Sequence, residues 1–149
     1  MAAVYGVNIT NLDATPRVPA SSEQVHGVLR VWYDTYEASS VSAADTITMA
    51  RMPAYSTVHD VILKCDALAG SSTLMVGDSD DPNRFIESSG TWNAAGQTQS
   101  MLGGTSAGAP TISMNGLAHR YTSETDIYIT VGGATINNSI HMWVFYTTD

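Results

Sequence analysis

The sequence predicts an all-β fold, a jelly-roll-like sandwich of two sheets built from about eight short strands. Segments rich in Val, Ile, Thr, Tyr and Trp recur along the chain, and several alternate apolar with polar residues. Between them lie clusters of Gly, Pro, Asp, Asn and Ser, the residues that turn a backbone. No segment carries the apolar period of a normal-length amphipathic helix, and neither a strand–helix–strand rhythm nor an internal repeat is evident.

Composition agrees. At 149 residues the chain fits one domain that can bury a core without metal or disulfide staples. Apolar residues make up 44% and charged ones only 13%, with Thr, Ser, Gly and Ala, seven Met and seven Tyr making up the difference. A disordered chain would be charge-rich and apolar-poor. A charge-poor surface also leaves neutral area for burial against a partner.

In chain order, residues 1–27 stand apart. They hold Pro16, Pro19, a Ser–Ser pair and no sustained period. One reading is an extended N-terminal arm, which at roughly 3.3 Å per residue reaches several tens of ångströms. Val4, Tyr5, Val7, Ile9 and Leu12 would then bind a partner surface. The other reading is a first strand plus a loop of the same domain. The division expected is an arm over 1–27 and a sandwich over 28–149.

"VLRVWYDTY" (28–36) is β-branched and aromatic, and "EASSVSAAD" interrupts it. "TITMARM" (46–52) sets Ile47, Met49 and Arg51 on one side against Thr46, Thr48 and Ala50, and Pro53 stops it. "TVHDVILKCD" (57–66) places His59, Val61, Leu63 and Cys65 on one face and Val58, Asp60, Ile62, Lys64 and Asp66 on the other. "ALAGSS" then turns the chain into "TLMVG", the expected hairpin partner of that strand, and "RFIES" follows an acidic loop. Residues 90–116 are mostly small and polar, a loop with short strands such as "TISM". "LAHRYTS" leads to "TDIYITVGG" (125–133), where Ile127, Ile129 and Val131 alternate with Tyr128 and Thr130. "TINNSIHMWVFYTT" is long enough for a full core strand.

Charge narrows the function. The net charge is −8, Lys64 is the only lysine, and five arginines lie scattered without a run. Nucleic-acid binding draws on Lys and Arg neutralising phosphates, so that role is excluded, and an anionic membrane would be repelled likewise. No window reaches the ~18 apolar residues of a membrane span. The N-terminus lacks the basic-then-apolar order of a signal peptide. Cys65 stands alone, so no intrachain disulfide forms, and its setting is that of a small buried hydrophobe.

"DSDDPN" (78–83) fails the calcium-loop template counted from Asp78, because Pro82, Asn83 and Ser89 stand where a ligand, a Gly and a Glu belong. As a turn it makes sense: Gly77 ends a strand, Asp78 and Ser79 accept backbone N–H bonds, Pro82 fixes φ, Arg84 pairs with an aspartate and Phe85 re-enters the core. "GTSAG" (104–108) matches G-x-S-x-G with Ser106 in the nucleophile position, but its flanks offer neither the strand nor the helix that motif requires. His26, His59, His119 and His141 show no metal-ligand spacing. Trp32, Trp92 and Trp143 suit a core or an interface more than a sugar platform. No catalytic, cofactor or metal residues are assigned.

Residues 27–146 as a set resemble small virion proteins from the structural-gene clusters of tailed bacteriophages. The likeness is carried by the "DTI…M.R.P" stretch, by "V.DV.L..DAL..S.TL.VGD", by the arginine–aromatic step "RF" and by the closing "TDIYITVGGATINNSIHMWVFY". It implies a capsid cement or decoration protein, often a jelly roll, that oligomerises on the outside of the head. The expected partners are the major capsid protein and further copies of itself, as dimer or trimer. The implied location is the capsid exterior, after synthesis in the host cytoplasm, and the implied protein is no enzyme and needs no cofactor. The alternative is a head-fibre or tail-associated β-domain that recognises host-surface glycans, with Trp92 in the loop-rich segment as its candidate residue. A hydrolase built on Ser106 is the third reading.

Overall fold

The computed structural model describes residues 14–16, 28–68, 70–89, 97–102 and 116–148. The expected arm residues Val4, Tyr5, Val7, Ile9 and Leu12 lie outside these, as do His26, Trp92, Ser106 and the "TISM" segment.

The described residues form nine strands and no α-helix: β1 Arg30–Glu37, β2 Thr46–Met52, β3 Ser56–Cys65, β4 Thr73–Gly77, β5 Ile86–Ser89, β6 Gln97–Ser100, β7 His119–Arg120, β8 Thr125–Gly132 and β9 Ser139–Thr148. They make two antiparallel sheets. One runs β1-β9-β3-β6, with β7 also on β3; the other runs β2-β8-β4-β5. β6 lies against residues 62–65 and β7 against residues 57 and 58, so these two short strands share one position beside β3. That leaves eight strand positions, and the chain changes sheet at nearly every connection, as a jelly roll does. The expected fold class is the observed one.

The core fills the space between the sheets. Ile140, Met142 and Val144 of β9 and Ile127, Ile129 and Val131 of β8 point inward in unbroken alternation. Leu63 and Val61 of β3 and Leu74 and Val76 of β4 meet them there. Each such buried side chain stabilises the fold by roughly 1.5–3 kcal/mol relative to exposure.

Three local expectations are corrected. In β2 the register steps from Thr48 to Ala50, opposite Tyr128 and Ile127, so Met49 is an extra residue. Met49, Ala50 and Met52 are therefore buried, and Arg51 faces out to Asp126, with Nε donating to Oδ1 at 2.7 Å. Strict alternation would have put the guanidinium in the core unpaired, and the bulge reverses the phase before it gets there.

In β3 a second bulge at His59 turns Val58 into the core beside Val61, Leu63 and Cys65. His59 lies off that face, its Nε2 3.0 Å from Thr147 Oγ1.

Third, β4 is not the hairpin partner of β3. β3 is already flanked by β9 on one side and β6 and β7 on the other, so between Cys65 and Thr73 the chain passes to the opposite sheet, where β4 pairs with β8 and β5. Asn138 Nδ2 donates to Ala67 O at 2.7 Å across this crossing, and Leu68 plugs it from inside.

Candidate assembly surface

The outward faces of the two sheets differ in chemistry. On the four-stranded sheet the outward positions are largely hydroxyl-bearing, Thr46 opposite Thr130 and Thr48 opposite Tyr128, with the Arg51–Asp126 ion pair beside them. On the five-stranded sheet, β9 alternates Ile140, Met142 and Val144 inward with His141, Trp143 and Phe145 outward. The register sets Tyr33 of β1 and Ile62 of β3 on either side of Trp143, and Val31 beside Phe145. Tyr33 lies over Trp143 with ring centroids 5.0 Å apart and stacks on His141 at 6.3 Å, its hydroxyl 2.9 Å from Nδ1. An aromatic strip thus crosses the outside of this sheet from the edge strand inward. Burying such rings against another protein is favourable both by area and by ring geometry.

After β4 the acidic loop is a turn with Asp78 as its hub. Gly77 opens it, because a Cβ there would sit 2.1 Å from Asp81 O. Asp78 is 1% exposed. Its carboxylate accepts from the Asp80 and Asp81 amides at 3.1 and 3.0 Å, Arg84 Nε at 2.6 Å and the Tyr121 hydroxyl at 2.7 Å. Its carbonyl accepts from the Tyr128 hydroxyl at 2.7 Å. Burial works against the charged carboxylate, yet the hydrogen bonds from Arg84, Tyr121 and the Asp81 amide outweigh it and hold the group below its usual range. Tyr121 is pushed up by burial and by Asp78. His119, packed edge-on against Tyr121, is pushed down by burial and then by Arg84. With its oxygens satisfied by protein donors, Asp78 is a structural anchor.

The remaining singled-out residues are dispersed. Cys65 is buried, and burial followed by Asp66 pushes its thiol up to about 12, which keeps it protonated and unreactive. Trp32 points between the sheets, its Nε1 donating to Met49 O at 3.0 Å. Trp143, expected only as a core or interface residue, lies on the outer strip, facing away from Met142 and Val144. Tyr33 and His141 were not singled out as its neighbours, because only the β1–β9 register brings them together. Among the described residues no three His, Cys, Asp or Glu side chains converge to hold a metal ion.

Among solved structures, the chain is similar in fold to a chain of the Cyanophage Pam1 capsid asymmetric unit, with TM-score 0.65, 23% identity and 100% of both chains covered. It is similar to a chain of the capsid of Ralstonia phage GP4, with TM-score 0.62, 19% identity, and 83% of this chain and 86% of that one covered. A third similar chain, with TM-score 0.58, 15% identity, and 83% and 90% covered, belongs to the acidic stable capsid structure of Helicobacter pylori bacteriophage KHP30. At these identities the likeness is one of fold. No protein-family model and no curated protein matches the sequence.

Proposed function

We propose that this chain is a structural component of a bacteriophage head, a cement or decoration protein that binds the outside of the capsid and bridges neighbouring subunits of the major capsid protein. The observation that carries the reading is the aromatic strip on one sheet face, set against a hydroxyl-rich face on the other. One side carries rings suited to burial against a partner, and the other carries the exposed Thr46 and Thr48 hydroxyls. The fold likeness to chains of three phage capsids supports the same reading. So does the acidic, lysine-poor composition, which suits a position away from packaged DNA. Each contact on a head is modest in area, but repetition around a symmetric shell raises the effective concentration of every neighbour. The work is mechanical, and the protein is not an enzyme.

In this reading the strip and the N-terminal residues Val4, Tyr5, Val7, Ile9 and Leu12 supply the apolar contacts. The test is co-sedimentation of the purified chain with heads that lack it. Wild-type chain is expected to be captured and to raise the temperature at which heads release DNA. Trp143→Ala, or Val7→Asp with Ile9→Asp, should weaken capture about tenfold or more, the loss of one buried aromatic or apolar anchor. Thr48→Ala on the opposite face should leave it unchanged. Heads that capture no chain would end the proposal. The stacked Tyr33, His141 and Trp143 rings favour one second reading, a platform for host-surface glycans. A glycan array without hits excludes it.

A further inference from the structure

We propose that two copies of this chain pair edge to edge through β1, antiparallel, about a two-fold axis at Trp32. The inference deepens the assembly reading by naming the self-contact.

β1 is the end strand of its sheet and, among the described residues, pairs with β9 alone. Among the described residues, one edge of this eight-residue strand therefore presents N–H and C=O groups without a ladder partner. The other sheet ends are protected. β5 and β6 span four residues each and β7 two, while β2 carries the bulge at Met49. Short edges and bulges discourage strand addition; β1 has neither, and no Pro or Lys. β1 and the two residues before it also gather exposed apolar side chains: Val28, Leu29, Val31 and Tyr33 are 72%, 58%, 53% and 52% exposed.

The register follows from symmetry. A two-fold perpendicular to the sheet keeps odd positions on the same face in both copies, so odd residues meet odd and even meet even. Only registers centred on a residue satisfy this. Centred on Asp34, the axis would set that carboxylate against its own copy. Centred on Tyr33, it would set Arg30 against Tyr36 and Asp34 against Trp32, leaving both charges without an opposite. Centred on Trp32, it sets Arg30 opposite Asp34 of the second copy, twice. The same register pairs Val31 with Tyr33 on the outer face, twice, and Val28 with Tyr36. Opposite charges and aromatic–β-branched pairs directly across an antiparallel ladder are the favourable combinations. Arg30 and Asp34 are both exposed, and neither forms an ion pair among the described residues. The two five-stranded sheets then join into one continuous sheet, and the aromatic strips run on from copy to copy.

Analytical ultracentrifugation of the full chain over a range of micromolar concentrations tests this. Wild type is expected to dimerise. Asp34→Arg and Arg30→Asp each place like charges opposite one another at two sites and should weaken self-association about tenfold or more. An equimolar mixture of the two variants should restore a dimer, because opposite charges again face each other, and the double reversal Arg30→Asp with Asp34→Arg should self-pair. Both positions are on the surface, so circular dichroism should match wild type. A monomeric wild type, a trimer, a dimer indifferent to both reversals, or a mixture that stays monomeric overturns the proposal. A monomer that still binds heads would sink this inference alone, and a dimer that ignores heads would sink the capsid reading alone.

Discussion

Asp78 uses its hydrogen-bonding capacity inside the fold, and that sets how the protein responds to acid. Removing one member of a buried pair leaves the other uncompensated, so Asp78→Ala should cost ~3–5 kcal/mol in chemical denaturation, with Arg84 and Tyr121 losing their acceptor. The carboxyl titrates lower in the fold than in the unfolded chain. Its contribution is therefore complete above about pH 4 and lost as pH falls through the folded value. His119 is also held low, which penalises the fold as pH drops below the free-imidazole range near 6.5. Stability measured against pH should thus fall in two stages, and His119→Gln should remove the first. The Asp78–Arg84 pair was legible in the sequence because the two are six residues apart in one turn. Tyr121 and Tyr128, 43 and 50 residues away, were not, since only the fold brings their hydroxyls to the loop.

Among the elements, β8 could be read from alternation and β9 from its length, because each crosses the core without interruption. β2 and β3 could not. Each contains one residue more than its partner ladder accommodates, and a bulge changes inward to outward without altering composition. Read strictly, the pattern put Arg51 with Ile47 and Val58 opposite Val61; pairing with β8 and β9 reversed both. The turn after β8 has a similar hidden constraint. Gly133 has φ +74°, and a Cβ there would lie 1.8 Å from Ser71 O, against the crossing that carries the chain from β3 to β4. Gly133→Ala should destabilise by about 1–3 kcal/mol through left-handed strain and a backbone clash. Denaturant melts check this, and Gly70→Ala, with open space around it, is the control.

Across the whole molecule, the two sheets share one core, so access to that core requires opening them together. Cys65 reports on this, being buried at the end of β3 with its thiol pushed up to about 12. A thiol reagent such as DTNB should react at the rate of global opening, with Cys65 silent in native buffer and accelerating in step with loss of the β-sheet signal in denaturant. Fast modification of the folded chain would show that the sheets part locally. The same shared core lies between the sheets, so Trp143, facing away from it on β9, is expected to contribute less to stability than Met142 or Val144 beside it.

The sequence by itself determined that the chain is all-β, that its strands are short, and that the loop at 78–83 turns the chain. These follow from composition, alternation and turn chemistry, which act over a few residues. Only the tertiary structure decided which strands are neighbours, where the bulges fall, and that Tyr33, His141 and Trp143 form one surface. Those outcomes depend on hydrogen bonds between strands up to more than a hundred residues apart, as Arg30 and Tyr146 are, and such register is chosen by what the whole core can bury.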